Sequence, residues 1–204
     1  MKKELTFNEK HHSYFLGNLF IPGVSSILKS AALVDFSGIP QDIMERAAAF
    51  GKAVHKACEL DDTGSLDFSS VDEAVIPCLE AWRKFKVDNK VDVEEIEMPV
   101  YSEKWIYAGT LDRVIEMNGK RFLLDIKTSK TVYPSMKVQL AGYKLAFEEL
   151  HKVKINGRMI VRLLRDGTYD VVVCDDPLDE QVFLACLQVY KFKKREKDYY
   201  AKKK

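Results

Sequence analysis

The sequence predicts an α/β protein in which helices pack on a mixed central sheet. Two observations predict it: three consecutive strand-like segments in mid-chain, and amphipathic helical stretches on either side of them, followed by a second pair of strand-like segments. The chain opens on LTFNEKHHSYFLGNLFIPG, which reads as a short hairpin with His11 and His12 as exposed strand or turn residues. Helices are expected from about Val24 to Ser30, Gln41 to Leu60 and Ser70 to Lys86, with Ser25 and Pro40 suited to helix beginnings. The three strands are expected near Val93 to Ser102, Ile106 to Met117 and Arg121 to Thr128, and Asn118-Gly119 supplies the turn that folds the second onto the third. After Pro134, MKVQLAGYKLAFEEL reads as an amphipathic helix with Leu140, Ala141, Leu145 and Phe147 as core contacts. Strands GRMIVRLL and TYDVVVC, joined at Asp166-Gly167, and a helix from Pro177 to about Lys197 complete the order. With no repeat and no linker, residues 1–204 read as one domain: a hairpin and N-terminal helical lobe to about residue 90, a sheet-bearing core over about 91–197, and a basic tail at 198–204.

The residues that carry chemistry lie on the second and third central strands. In RFLLDIK the period of two puts Asp125 and Lys127 on one face and Ile126 on the other, in a core. The hairpin lets Asp112, in YAGTLDRVIEMNG, lie across from Asp125. Two carboxylates beside a lysine are the minimum for metal-assisted hydrolysis of a phosphodiester. A divalent cation takes oxygen ligands and, when kept open for substrate, needs only a couple of protein carboxylates. The lysine can orient or deprotonate the attacking water, or balance charge growing on phosphoryl oxygens. Alone, D-x-K on a hairpin reads more often as a solvated strand face with a cross-strand ion pair.

Two further constellations shift that balance. In FGKAVHKACE, Gly51 stands one helical turn before His55 and Glu59 one turn after it. Imidazole serves a transition metal and is acceptable beside carboxylates, while a glycine one turn earlier admits a close backbone or phosphate. A single helical His is by itself more often structural. Downstream, Gln139 and Tyr143 are again one turn apart, placed to hold a phosphate or a water and to bond or stack on nucleic acid.

Taken in order, Gly51-x-x-x-His55, Gly109-x-x-Asp112, Asp125-Ile126-Lys127-Thr128 and Gln139-x-x-x-Tyr143 resemble the RecB-like branch of the PD-(D/E)XK nuclease superfamily, including its phage-type exonucleases. Thr110 and Ser129 extend the match to GTLD and DIKTSK, and IPGVSSIL is similar to an N-terminal element of small exonucleases of this branch. The resemblance spans roughly residues 20 to 145. It implies a restriction-endonuclease-like αβββαβ core with an N-terminal helical lobe that roofs the site. It also implies His55, Asp112, Asp125 and the Ile126 carbonyl as ligands of Mg²⁺ or Mn²⁺, in one or two ions, with Lys127 acting on the water or the transition state. Gln139 and Tyr143 would support the catalytic site, and Thr128, Ser129 and Lys130 would join them at the DNA backbone. Glu97, in EEIEMPVY, falls where many members carry an acidic residue on the first core strand, or is an ordinary polar strand position. Glu59 either assists the site or merely charges a helical face, the second being preferred.

Composition agrees with a single enzyme. A chain of 204 residues, 47% hydrophobic, can bury one substantial core. It has neither a membrane-length apolar stretch nor an apolar signal core after Met1-Lys2-Lys3-Glu4, so a cytoplasmic protein is expected, in the host cytoplasm if phage-encoded. Cys58, Cys78, Cys174 and Cys186 are scattered without a C-x-x-C pair, which argues against zinc, disulfides and the iron-sulfur cluster of some relatives. Net charge is only +1, but KFKKREKDYYAKKK carries eight Lys or Arg against one Glu and one Asp, suited to phosphates or to a solubilising tail. Tyr199 and Tyr200 are weak candidates for base stacking.

The activity this points to is a Mg²⁺- or Mn²⁺-dependent DNA exonuclease acting on single strands or free ends, in recombination, repair or phage DNA processing. A structure-selective endonuclease on the same core and a non-catalytic DNA-end-binding module are the rivals.

Overall fold

The computed structural model describes residues 4–8, 13–35 and 37–201, the side chain of Tyr200 excepted. The expectations for His11 and His12, for the first three residues and for the last three lysines lie outside the described residues. Three short strands, β1 (Leu5–Asn8), β2 (Ser13–Leu16) and β3 (Leu19–Ile21), form an antiparallel meander, one strand more than a hairpin. Gly17, at φ +61°, makes the second turn, a conformation glycine takes at little cost. Then come α1 (Val24–Ser30), α2 (Gln41–Asp62), a single 3₁₀ turn at Phe68–Ser70, and α3 (Ile76–Asn89).

α3 begins later than the expected Ser70, and Pro77 is the reason. A proline lacks the N–H that a helix interior needs but fits its first turn, so the helix starts one residue before it. The central strands β4 (Asp92–Ser102), β5 (Tyr107–Met117) and β6 (Lys120–Lys127) are followed by α4 (Pro134–His151), β7 (Gly157–Leu163), β8 (Tyr169–Val173) and α5 (Leu178–Ala201). α5 absorbs the first four residues of the expected tail, Asp198 to Ala201, because the Lys- and Arg-rich helix before them continues with neither Gly nor Pro to stop it.

The five central strands form one mixed sheet in chain order, antiparallel except for the parallel pair β6–β7. A parallel pair needs a long crossover, and α4 is that crossover. Both faces of the sheet are covered. On one, Val24, Ile27 and Leu28 of α1 pack with Leu140, Tyr143 and Phe147 of α4, Phe183 and Leu187 of α5, and Leu111, Leu123 and Ile160 of the sheet. On the other, Val54 and Cys58 of α2 pack with Leu79, Trp82 and Phe85 of α3 over Ile115, Leu124, Ile126 and Val161. The two N-terminal helices therefore do not form one lobe: α1 and α2 bury their apolar stripes on opposite faces. The first nine residues of α2, Gln41 to Ala49, are exposed. All four cysteines are buried, and burial pushes their thiols up, that of Cys174 to about 11. Among the described residues no helix is long and apolar enough to cross a membrane.

Candidate metal and hydrolytic site

The candidate residues converge where regular pairing between β4, β5 and β6 gives out. The β5–β6 ladder ends at Arg113 opposite Leu124, one pair short of Asp112 and Asp125. The Ile126 N–H is bonded instead by the Asp112 carboxylate, at 2.9 Å from Oδ2. The Ile126 carbonyl accepts from His55 Nε2 at 2.9 Å. With the proton on Nε2, Nδ1 faces two carboxylates, Asp112 Oδ2 at 3.4 Å and Glu97 Oε1 at 3.7 Å. Burial alone would lower the His55 pKa, but Asp112 and Glu97 outweigh it and carry it up to about 9.

Glu97 reaches this cluster through an unusual backbone. The β4–β5 register shifts between Val93 and Glu95, and Glu97 itself sits at φ +44°, a left-handed conformation that costs a non-glycine residue on the order of 1–3 kcal/mol. Its Oε1 is also 3.3 Å from Arg113 Nη1. One ligand atom each from His55, Glu97 and Asp112 lie within 4.8 Å of one another, so Glu97 stands among the candidate ligands. Asp125 projects from the opposite face of β6 to Ile126 and is 2% exposed, with Lys127 Nζ 2.6 Å from its Oδ2. Burial raises the Asp125 carboxyl to about 6 against the pull of Lys127, and the Asp112 charge adds to the rise. For Lys127, burial works downward, and the Asp125 and Asp112 carboxylates hold it above the usual lysine range, as an ammonium.

The Asp125 Oδ2 is the observation that tests the set against a cation. It is a buried carboxylate oxygen with no partner of hydrogen-bond geometry, since the ammonium approaches it off-angle. Buried polar atoms are rarely left so. The imidazole of His55 and the carboxylates of Glu97 and Asp112, whose ligand atoms lie within 4.8 Å of one another, form a donor set suited to Mg²⁺ or, with the nitrogen, Mn²⁺; Asp125 stands outside that group.

The supporting residues are arranged around this. Gln139 Nε2 donates to Tyr143 Oη at 2.9 Å, and burial, reinforced by Asp125 and Asp112, keeps that phenol neutral. Gly109 explains why Tyr143 can lie on the sheet: a Cβ there would sit 2.4 Å from the tyrosine ring. Gly51 faces Thr128, whose Oγ1 is 3.6 Å from where a Cβ would be. Ser129 bonds the Thr131 carbonyl, Arg162 bonds the Lys130 carbonyl, and the Lys130 side chain is exposed. Glu59 is not brought in: its carboxylate takes the Lys56 ammonium at 2.7 Å. A cavity of about 630 Å³ opens beside the cluster, with Lys127 and Gln139 at one end and Leu28, Val34, Tyr133 and Met136 among its apolar walls.

Arg113 and Asp62 are structural neighbours of the site that the sequence reading left out. Both side chains are fully buried, with Nε 2.8 Å from Oδ2; Asp62 also accepts from Trp82 Nε1 at 2.8 Å and Lys86 Nζ at 2.6 Å. Arg113 Nη1 donates to the Asp112 carbonyl at 2.7 Å. The available signal was an arginine between Leu111 and Val114, which a buried strand must pair with a carboxylate.

No family model and no curated protein matches the chain. Among the solved structures that resemble it, two do so at low levels. One, called SSO0001, is 20% identical, with 67% of this chain and 71% of that one covered and a TM-score of 0.37. The other, an alkaline exonuclease (LHK-Exo) from Laribacter hongkongensis, is 12% identical, with 85% and 93% covered and a TM-score of 0.39. At these scores neither likeness bears on the fold or the activity of this chain.

Proposed function

We propose that the protein is a divalent-metal-dependent deoxyribonuclease that shortens DNA from an end, with single strands as its preferred substrate. The observation that supports this best is the convergence of His55, Glu97 and Asp112 within 4.8 Å, beside a buried Asp125 whose Oδ2 is paired only with Lys127. The order of elements α3-β4-β5-β6-α4-β7 and the motif residues resembling RecB-like nucleases support the same reading. His55, Glu97, Asp112 and Asp125 would hold the ion, which would supply positive charge to a phosphodiester and acidify a water at neutral pH. Lys127, held as an ammonium, places a fixed positive charge where phosphoryl oxygens become more negative. The neutral Tyr143 phenol, oriented by Gln139, offers a hydrogen bond that does not titrate near neutrality. The cavity beside Lys127 gives the strand an apolar bed, and the half-buried Thr128 and Ser129 with the exposed Lys130 give its backbone polar contacts.

The test compares the wild type with Lys127→Ala on end-labelled linear single-stranded, linear duplex and circular single-stranded DNA, with Mg²⁺, Mn²⁺ or EDTA. Metal-dependent loss of the linear single strand, sparing the circle and absent in the variant, supports the exonuclease. Cutting of the circle transfers the assignment to an endonuclease. Binding without cutting under any metal sinks the catalytic reading and leaves a DNA-end-binding module.

A further inference from the structure

α5 carries two apolar stripes, and only one of them meets the rest of the chain. Phe183, Cys186 and Leu187 are buried against α4 and the sheet. Leu178, Val182, Ala185, Val189 and Phe192 are all exposed, the large ones at 56%, 38%, 41% and 54% in that order. Their spacing is 4-3-4-3, the a/d repeat of a coiled-coil seam. At 3.6 residues per turn this seam lies about 140° around the helix from the buried stripe, so α5 cannot bury both against its own chain.

From this we infer that the outer face of α5 is a self-association surface, occupied by α5 of a second copy of this chain running antiparallel. The charge along the helix selects both partner and direction. Asp175, Asp176, Asp179 and Glu180 stand at or just before its start, the last two paired with Arg158 and Lys144 of the same chain, and Lys191, Lys193, Lys194, Arg195 and Lys197, against Glu196 and Asp198, stand near its end, so the two ends keep opposite net charge. A parallel copy would set like ends side by side, whereas an antiparallel copy sets each acidic start against a basic end. A two-fold axis between Ala185 and Val189 seats Val182 on the partner copy's Phe192 and Ala185 on its Val189, and leaves Leu178 level with the partner copy's Glu196, beyond the paired apolar segment. On the outer flank Gln188 meets its own counterpart, and Gln181 lies opposite Arg195. An isologous pairing of this kind closes on itself and makes a dimer rather than a filament.

The inference does not depend on the proposed nuclease activity, and its test reads mass and cross-links. Sedimentation equilibrium of the whole chain is expected to give twice the 23.4 kDa chain mass at micromolar concentration. Val182→Glu combined with Phe192→Glu is expected to weaken association at least 100-fold, with the circular dichroism spectrum unchanged and the melting transition no longer dependent on protein concentration. Cysteine substitution reads direction, since the native thiols are buried. Gln188→Cys should form a covalent dimer on mild oxidation and Gln181→Cys should not, while mixing Gln181→Cys with Arg195→Cys restores the cross-link. A wild type that stays monomeric at 100 micromolar, or that associates unchanged after the double substitution, overturns the surface. A Gln181→Cys homodimer overturns the antiparallel arrangement.

Discussion

Removing the Asp62 carboxylate tests whether the site is held up from beneath. Asp62→Ala leaves the Arg113 guanidinium fully buried with its principal counter-charge gone; what remains is the Asp112 carbonyl at 2.7 Å and Glu97 Oε1 at 3.3 Å. Breaking one partner of a buried ion pair costs about 3–5 kcal/mol. The Trp82 N–H loses its acceptor too, adding about 1 kcal/mol. Lys86 adds little, because it is partly exposed and keeps Asp61 at 3.2 Å. The expected loss is therefore about 4 kcal/mol or somewhat more, equivalent to a fall in Tm of roughly 8–16 °C for a chain of this length. Urea denaturation followed by fluorescence of Trp82, which packs beside Asp62, measures it directly. Asp62→Ala with Arg113→Met should recover at least about 2 kcal/mol, since an apolar replacement of both partners is nearly neutral. A loss below about 1 kcal/mol in the single variant, or simple additivity in the double, would refute the reasoning.

Three further outcomes follow from the same geometry. Gly109→Ala forces a Cβ to 2.4 Å from the Tyr143 ring and should cost about 1–3 kcal/mol, with loss of cleavage in parallel, as thermal melts and the DNA assay would show. Gly51→Ala meets only Thr128 Oγ1 at 3.6 Å in a helix interior and should stabilise the protein by about 0.5–1 kcal/mol; lowered cleavage despite that gain would show that substrate approaches α2 at Gly51. In EDTA, His55 contributes stability that is complete below pH 6.5 and is lost as pH rises through about 9, up to about 3 kcal/mol at about 1.4 kcal/mol per pH unit. Asp125, raised by burial to about 6, acts in a separate window: its favourable contribution is present below about 3.8 and lost as pH rises to 6. His55→Gln should flatten the melting profile between pH 6.5 and 9 and move the Asp125 limb to higher pH, because the His55 charge pulls that carboxyl down.

The parts of the fold written in local periodicity were legible, and those that need a distant partner were not. Asp125 and Lys127 share a face, and Ile126 lies in the opposite core, because a strand alternates whatever surrounds it. α1 begins at Val24 as read, after Pro22-Gly23. Pro77 was visible too, and its demand for a first-turn position marks where α3 starts. The left-handed backbone at Glu97 could not be read, since a glutamate inside a strand gives no sign of positive φ. Nor could the Arg113–Asp62 pair, which joins the end of α2 to the middle of β5 across 51 residues. The 4-3-4-3 stripe of α5 was there to be read, but only burial separates an outer seam from a core one.

The failure of β-pairing at the site gives the candidate ligands a second duty. Where the β5–β6 ladder stops, the Ile126 N–H and C=O would be buried polar groups without partners; Asp112 takes the first and His55 the second. Leaving a buried backbone group unpaired costs about 1–3 kcal/mol. Substitution of Asp112 or His55 to alanine therefore removes a ligand and loosens the join between strands at once, so lost activity in either variant is ambiguous by itself. Glu97 and Lys127 are paired with side chains of the sheet, Arg113 at 3.3 Å and Asp125 at 2.6 Å, and not with its backbone amides, and Glu97 stores strain that its replacement by glycine would release. They separate chemistry from fold. A Glu97→Gln or Lys127→Ala variant that melts normally but no longer cleaves speaks to the reaction, whereas the same phenotype at Asp112 has first to be divided between an ion and an amide.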